Sequence, residues 1–459
     1  MESWNLDISA GLFFLDFAWM GLLLIVATYL RSRVGFLQKY LIPANLLAGA
    51  AGLIIGMNGL EWIDLNSERL GTYVYHLLAL LFIALGLRAP KKRLGMSSIK
   101  FSLIFLAVYL VQAIIGLVVA FILFYTFMPD LFVGIGLLPP LAFGMNPGIA
   151  YSIGGNWENF GFESGGIVGL TFAAFGFLMA YTVGIWLVRK GIRDGEATYI
   201  DSELSLSEDI RTGIVRAPKG NMRERITTSP ESIESLTFHI ALIGLVYVVT
   251  YLLMKLMEAG LIRIDAANEI TTLWSFHFIF AAILALSVRK IMNVMRVTKV
   301  VDDMTMTRCS NLFMDFMIVA SVAAISFQVI LVYWVPILSI SILVCIATWM
   351  VIYYLTSDAF EEYRFERFAS IFGNMTGTMQ SGLVLLRILD PNMKSPASYN
   401  LVYGSGLALV FGFPLLIVIN APVHYFSDLV QGFWVVLSVM TLYLFLIFIA
   451  WNYLKRAKT

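Results

Sequence analysis

Long apolar windows alternate with short polar loops along the whole chain. A helix needs about 20 largely apolar residues to cross the hydrocarbon core of a bilayer. Eleven windows come close to that length or exceed it, and they predict an all-α integral membrane protein with about 11 transmembrane helices. The windows are residues 11–30, 40–57, 71–88, 99–127, 165–188, 236–257, 273–288, 309–332, 337–356, 397–420 and 433–454.

Two further apolar windows are rich in Gly, Asn, Thr and Pro. Residues 131–155 contain the sequence FGMNPG at 143–148, and residues 366–387 contain FGNMTG at 372–377. Because these residue types interrupt helices, we predict that each window forms a re-entrant hairpin. Lipid offers no hydrogen bonds, so irregular backbone persists at membrane depth only where protein or a water-filled cavity surrounds it. Each hairpin tip is therefore a candidate site.

The basic residues support this topology. If both hairpins return to the side from which they enter, the six connections on one side hold 28 of the 31 Lys and Arg residues. Only Arg69, Lys255 and Arg263 remain on the other side. Cytoplasmic loops collect Lys and Arg, so we predict an outside N-terminus and a cytoplasmic C-terminus in the inner (cytoplasmic) membrane. A full span at either hairpin moves every later loop to the other side and abolishes the asymmetry.

The same topology predicts an inverted repeat. Five helices and a hairpin begin outside, the next five helices and a hairpin begin inside, and one additional helix follows. The sequence FGF recurs in the helix after each hairpin, at 175–177 and 411–413. We predict four regions: a first repeat at 1–190, a cytoplasmic linker at 191–235, a second repeat at 236–420, and an extra helix with a basic tail at 421–459.

The composition agrees with a membrane protein. Of 459 residues, 59% are hydrophobic and 13% are charged, which is too little charge for the surface of a soluble globular protein. We expect the lipid bilayer as a partner and no nucleic acid, although the net charge of +1 by itself says nothing about partners. Cys309 and Cys345 cannot form a metal cluster alone, so we expect no cofactor other than a coupling ion.

The hairpin tips carry the candidate chemistry. In transporters built from inverted repeats, the N-termini of half-helices face anionic groups, and unwound carbonyls coordinate coupling cations. Residues with amide, hydroxyl or exposed backbone groups at the tips are candidates for solute binding: Gly144, Asn146, Gly148, Tyr151, Gly373, Asn374, Thr376, Gly377, Thr378, Gln380 and Ser381. Sodium prefers hard oxygen ligands, for which the candidates are Asn146, Asn374, Thr376 and Asn420.

Other interpretations stay open at this point. The small residues at the tips also suit sharp turns and close helix packing. Asp16 and Asp315 lie near the outer and inner ends of their windows, where solvation of a helix end accounts for a carboxylate as well as ion binding does.

The chain resembles the sodium:glutamate symporters of the bacterial glutamate permease type. KYLIP at 39–43 is similar to that family's Lys-Tyr-x-Ile-Pro, and Phe82 with the GLRA run at 86–89 is similar to its Phe-x-x-x-Gly-Leu-x-Ala. The FG pair at 175–176 and the NA pair at 420–421 have similar counterparts. The resemblance implies a five-plus-five inverted repeat, a homodimer, and sodium-coupled glutamate uptake by movement of a transport domain.

The tips depart from the family pattern. That family has loops similar to Gly-Gly-His-Gly-Thr-Gly and Gly-His-x-Gly-x-Gly, whereas this chain has Asn146 and Asn374 in its tips and neither histidine. We therefore expect the reaction class to carry over better than the substrate.

Together these patterns predict a transporter rather than an enzyme. The main hypothesis is sodium-coupled symport of a small anionic solute, either glutamate or a related amino acid or dicarboxylate. The alternative is a solute sensor or channel on the same fold without coupled transport. An intramembrane serine hydrolase using Ser405 and His424 is disfavoured, because His424 lies beyond the apolar window 397–420 rather than in a second helix facing the serine.

Overall fold

The protein is helical throughout the part described in the computed structural model, which comprises residues 10–88, 95–200, 208–214, 232–391 and 393–456. The helices are α1 (Ala10–Arg33), α2 (Gly35–Lys39), α3 (Ala44–Ile55), α4 (Ser67–Gly86), α5 (Met96–Thr126), α6 (Pro147–Trp157), α7 (Gly165–Arg193), α8 (Glu208–Thr212), α9 (Ser235–Arg263), α10 (Ile270–Ser275), α11 (His277–Val294), α12 (Asp303–Ala323), α13 (Phe327–Ala359), α14 (Arg364–Thr376), α15 (Met379–Leu389), α16 (Ala397–Tyr425) and α17 (Leu429–Arg456).

Nine helices within the described ranges are long and apolar enough to cross a membrane. They are α1, α4, α5, α7, α9, α11, α13, α16 and α17, and each corresponds to a predicted window. The other two windows do not give such helices. Window 40–57 forms α3, which has only 12 residues, and α12 carries three charged residues in its 21. The chain is thus a multi-pass membrane protein.

Window 309–332 was placed incorrectly. It contains the end of α12, the connection 324–326 and the start of α13, so α13 begins ten residues before the predicted window 337–356. The connection has the sequence AIS, with neither Gly nor Pro, and hydropathy alone does not reveal it.

The helices pack as two bundles. The six-helix bundle comprises α1, α3, α4, α9, α11 and α12, and the five-helix bundle comprises α5, α7, α13, α16 and α17. Small residues allow close packing in the six-helix bundle: a Cβ atom added at Gly49 of α3 lies 2.6 Å from Val322 of α12, and one added at Gly86 of α4 lies 2.7 Å from Ala285 of α11. The segments 131–157 and 364–389 lie with the five-helix bundle.

The predicted linker 191–235 is described only in part. Residues 201–207 and 215–231 lie outside the described residues, as do residues 457–459 of the predicted basic tail. At the start of the linker, the N–H of Thr198 donates to Glu366 of α14 at 2.7 Å. The linker therefore begins against the entrance of the second broken segment.

Asp16 belongs to a structural ion pair. Its carboxylate is 1% exposed and accepts from Arg69 Nε at 2.9 Å and Nη2 at 3.0 Å, which joins α1 to α4. Arg69 also pairs with the more exposed Asp64 at 3.2 Å. Because this geometry satisfies both carboxylate oxygens, the ion-binding alternative for Asp16 loses its support.

We predict that Arg69→Met destabilises the fold by about 3 kcal/mol, because it leaves the Asp16 charge buried without a partner. The matched control is Lys255→Met, which breaks the more exposed Lys255–Glu258 pair at 3.1 Å and is expected to cost less than about 1 kcal/mol. Chemical unfolding in detergent micelles measures both. Equal stability of the two variants would contradict a structural role for the Asp16 pair.

Candidate functional site

The first broken segment folds back on itself at Asn146. Phe132, before the segment, stacks on Phe162 at 4.7 Å between ring centroids and lies 5.8 Å from Trp157, the last residue of α6. After Phe132 the chain forms a 3-10 turn and a π-helical turn, becomes extended at Asn146 and continues as α6. The two ends of the segment are therefore side by side, with Asn146 at the turn between them.

This first turn rests on the middle of α5. The hydroxyl of Tyr109, near the midpoint of the 31-residue helix, donates to the carbonyl of Gly144 at 3.2 Å. A Cβ atom added at Gly144 lies 2.5 Å from the Tyr109 ring, so only glycine fits this contact. Nearer the start of the segment, the backbone of Gly136 packs against the backbone of Gly116 in α5. Glycine thus brings the irregular segment close enough to α5 to share its polar groups.

The second broken segment is a hairpin of α14 and α15 with its turn at residues 377–378. The arms are antiparallel and close: a Cβ atom added at Gly373 lies 2.9 Å from the backbone of Gly382. Both Asn374 and Thr376 are buried at the end of the incoming arm. The bounds agree with the predicted segment 366–387 to within two residues at each end.

Gly176 lies between the two turns. A Cβ atom added there lies 2.5 Å from the carbonyl oxygen of Thr376 and 2.9 Å from the ring of Phe143, so the side of α7 that carries the FGF sequence receives both broken segments. The FGF sequence of α16 has a looser contact, since a Cβ atom added at Gly412 lies 3.8 Å from Met145. Of the two FGF positions, the structure brings Gly176 together with both turns.

Gln112 of α5 bridges the same two turns. It is fully buried, and its Nε2 donates to the carbonyl of Met375 at 2.9 Å and to Thr348 of α13 at 3.0 Å. Its Oε1 has no hydrogen-bond partner in the described part of the chain and lies 3.4 Å from a Cβ atom added at Gly144. One amide therefore donates to the second turn and directs a free acceptor towards the first.

The first turn satisfies its own backbone. Asn146 caps α6: its Oδ1 accepts from Gly148 N–H at 2.8 Å, and its carbonyl accepts from Ile149 and Ala150 at 3.1 and 3.3 Å. Pro147 has no N–H to offer. The expectation that both half-helix N-termini present free N–H groups is therefore wrong for this turn, because the capping residue occupies them.

The second turn is open. Within the described residues, the backbone N–H groups of Met379, Gln380 and Ser381 at the start of α15 make no hydrogen bond, and Thr378 gives no side-chain cap. The Thr378 side chain is 2% exposed, and its hydroxyl has no partner among the described residues. Free N–H groups at the positive end of a helix bind carboxylates and other anions. Of the two turns, the start of α15 is therefore the stronger candidate for anion binding.

Side chains of the second turn contact α7 and lie close to the six-helix bundle. The Ser381 hydroxyl lies 3.0 Å from the Tyr181 hydroxyl of α7, and the Gln380 side chain lies close to the carboxylate of Asp315 in α12. Asn45, at the start of α3, donates to the same carboxylate at 2.8 Å. Asp315 is in the middle of α12 rather than near its inner end, because the helix begins six residues before the apolar window. On the first turn, Asn146 Nδ2 lies 3.9 Å from the sulfur of the adjacent Met314.

Three predicted residues lie elsewhere or have other partners. Tyr151 is within α6, packed between Gly71 and Gly166 rather than at the turn. The Thr376 hydroxyl donates to Phe372 O at 2.8 Å, within its own helix. Asn420 accepts from Trp157 Nε1 at 2.9 Å, and Trp157 is about 15 Å along α6 from the first turn. The structure does not bring Asn420 together with the tips.

Sequence reasoning missed several polar residues that hold the turns. Tyr109 and Gln112 come from the longest apolar window, and Asn45 and Tyr181 come from two others. A buried amide within such a window is itself a signal, because polar groups at membrane depth require a partner.

In the described part of the chain, no group of three His, Cys, Asp or Glu residues is arranged to hold a metal ion. Comparisons of the chain with models of known protein families, with curated proteins and with solved structures find no match. The function therefore has to be argued from the two turns themselves.

We predict that Gly176→Ala displaces the two turns, because the new methyl group overlaps both the Thr376 carbonyl and the Phe143 ring. The expected result is a melting temperature several degrees lower and a large loss of solute binding. Gly244→Ala in α9 is the matched control, since nothing lies within 4 Å of its added Cβ atom, and it is expected to be neutral or slightly stabilising. Normal stability and binding in Gly176→Ala would show that the turns do not depend on this contact.

Proposed function

We propose that the protein is a sodium-coupled secondary transporter of a small anionic solute, glutamate or a related amino acid or dicarboxylate. The observation that carries this proposal is the meeting of two broken segments at Gly176 and Gln112, where one turn offers three free N–H groups. Convergent broken helices with unsatisfied polar groups are how transporters bind ions and solutes within a bilayer.

Both broken segments are re-entrant in this proposal. The first turn contacts Tyr109 and the second contacts Gln112, and both residues are near the middle of α5, a helix long enough to span the bilayer. The turns would then lie near mid-membrane. The basic residues agree, because the asymmetry between the two sides requires each segment to return to the side from which it enters. That asymmetry also supports a cytoplasmic C-terminus.

The packing supports an inverted repeat that relates α1, α3, α4 and α5 to α9, α11, α12 and α13. In the first half α1 packs on α3, and in the second α9 packs on α11; across the halves, α3 packs on α12 while α11 packs on α4. The helices α4 and α12 contact each other, as do α5 and α13. Such reciprocal pairs are expected when two copies of one unit face each other.

Two helix starts strengthen this correspondence. Asn45 is the second residue of α3 and contacts Asp315 in the middle of α12, while His277 begins α11 and stacks on Tyr75 in the middle of α4 at 3.6 Å. In each repeat, one helix therefore begins beside the middle of a helix from the other repeat: α3 beside α12, and α11 beside α4. The extra helix α17 packs on α5 and α16, outside these pairs.

Binding of the solute follows from the two turns. A carboxylate would accept from the N–H groups at the start of α15 and from the Thr378 hydroxyl, while the free Gln112 oxygen would accept from an ammonium or hydroxyl group of the solute. The turns belong to the five-helix bundle, but Gln380 and Asn146 touch α12 of the six-helix bundle. A movement of one bundle along the other would therefore expose the site to alternate sides.

A basic cavity would attract anions on the side that this proposal assigns to the cytoplasm. It has a volume of about 890 Å³ and lies between the ends of α4 and α11 in one bundle and α16 in the other. Arg88, Arg289 and Lys290 line it, with Asp303 as the only acidic lining residue among those described. Clefts with a net positive charge raise the local concentration of anions.

The resemblance to sodium:glutamate symporters supports the reaction class, the sodium coupling and a homodimer. It supports glutamate less, because Asn146 occupies a tip that carries histidine in that family and is here committed to capping α6. A related dicarboxylate or amino acid is equally compatible with the free groups of the second turn.

The test of the proposal is uptake by the purified protein in liposomes. We predict that a sodium gradient directed inwards drives accumulation of labelled glutamate, or of a dicarboxylate such as succinate, to at least tenfold above the level reached without the gradient. Collapse of the gradient with a sodium ionophore is expected to release the solute. Saturable binding without accumulation would favour the alternative of a sensor, and uptake indifferent to sodium would contradict the coupling.

We predict that Gln112→Leu lowers the apparent solute affinity by 10-fold to 100-fold, because it leaves the Met375 carbonyl without its donor and removes the free acceptor, a loss of roughly 1–3 kcal/mol. Gln431→Leu in α17 is the matched control, since Gln431 is exposed and far from either turn in the chain. Unchanged affinity in Gln112→Leu, measured by uptake at a series of solute concentrations, would remove Gln112 from the site.

A further inference from the structure

The carboxylate of Asp315 has no basic partner among the described residues. It lies in the middle of α12, its carboxylate accepts from the Asn45 amide at 2.8 Å, and the neutral amide side chain of Gln380 lies close to it. Within the described ranges, no Lys, Arg or His pairs with it. This differs from Asp16, whose two oxygens are held by Arg69. An ionised carboxylate inside the membrane region is costly unless a cation or a proton neutralises it.

The same carboxylate lies beside the open end of α15. Gln380 is the second residue of that helix, and its side chain lies close to Asp315 while its backbone N–H makes no hydrogen bond among the described residues. An anion bound at the start of α15 would therefore share this helix end with the Asp315 carboxylate. Two negative charges in one poorly hydrated site repel each other strongly. Anion binding next to Asp315 thus requires a positive charge between them.

We propose that Asp315 is the charged ligand of a sodium site between the two bundles, and that sodium bound there permits the anionic solute to bind at the start of α15. This inference rests on the proposed transport function and names the residue that couples the ion to the solute. The predicted ion ligands Asn146, Asn374, Thr376 and Asn420 do not include it.

The neighbouring groups suit a hard monovalent cation. The amide oxygen of Gln380 becomes a ligand when the amide rotates by half a turn, and the Thr378 hydroxyl two residues earlier is buried without a partner among the described residues. Carboxylate, amide and hydroxyl oxygens are the ligands that hard cations prefer. Asn45 keeps its donor on Asp315 and its oxygen on Leu46 N–H at 2.7 Å, so it orients the carboxylate.

The variant Asp315→Asn tests the charge of the side chain separately from its size and shape. Asparagine keeps the size of the side chain and an oxygen that can accept from Asn45, but it removes the negative charge. We expect the variant to lose sodium binding and, because the repulsion has gone, to bind the anion equally well with or without sodium. In the wild type, coupling is reciprocal, so sodium raises the affinity for the solute and the solute raises the affinity for sodium.

The experiment measures the melting temperature of the purified full-length protein in detergent, in sodium chloride and in choline chloride at equal ionic strength. For the wild type, sodium is expected to raise the melting temperature in a saturable way. Asp315→Asn is expected to abolish the rise. The matched control is Asp130→Asn, which removes an exposed carboxylate in the loop after α5 and is expected to keep the full rise.

A second variant covers the case in which Asp315→Asn does not fold. Gln380→Leu keeps the charge but removes an amide ligand, and it is expected to raise the sodium concentration for half-maximal stabilisation by at least tenfold. A sodium-dependent rise that persists unchanged in Asp315→Asn would overturn the proposal, as would an unaltered half-maximal concentration in Gln380→Leu. So would a wild type that sodium and choline stabilise equally.

A glutamate titration of the folded variant gives the second readout. Sodium-independent binding in Asp315→Asn, with sodium-dependent binding in the wild type, supports the coupling role. The two proposals fail separately. If sodium drives uptake but Asp315 is not part of the sodium site, the transport function is supported and the role of Asp315 is not. If Asp315 binds sodium but the protein accumulates no solute, the sodium site is supported and the transport function is not.

Discussion

Backbone polar groups within a bilayer must find partners inside the protein, and the rest of this structure depends on how two broken segments meet that requirement. The first segment does so by itself, through Asn146 at the cap of α6. The second relies on Gln112 for one carbonyl and leaves the N–H groups at the start of α15 without partners in the described residues. The candidate site is therefore marked by polar groups that lack hydrogen-bond partners, and not by the presence of a turn alone.

Close packing by glycine makes this arrangement possible. Gly144 admits Tyr109, and Gly176 admits both turns, so neither position accepts a side chain without displacement of its neighbours. The small-residue interpretation of the tips and the binding interpretation are therefore compatible. Glycine brings the segments together, and the polar groups that remain unpaired at the junction supply the chemistry.

Much of the fold follows from the sequence. Apolar windows of about 20 residues predict nine of the long helices, and the glycine-rich windows at 131–155 and 366–387 predict both broken segments. The connection 324–326 is not predicted, because a turn made of AIS leaves the hydropathy uninterrupted. The short length of α3 is also missed, since the residues on either side of it are nearly as apolar.

The candidate site is predicted less completely, because it depends on which residues from distant segments face each other. The tips themselves are visible as broken patterns, but Gln112 and Asn45 are isolated amides in apolar windows. The contrast between Asp16 and Asp315 is likewise tertiary: one carboxylate meets an arginine from α4, and the other meets only amides. Spacing along the chain gives no indication of either partner.

The central claim is that the second turn binds an anion together with sodium. The most direct measurement places a cysteine at Met379, the half-buried first residue of α15, in a background without Cys309 and Cys345, and follows its reaction with a hydrophilic maleimide. We predict that sodium together with glutamate or succinate slows the reaction at least tenfold, while either component alone has a small effect. A reaction rate unaffected by the combination would contradict the account.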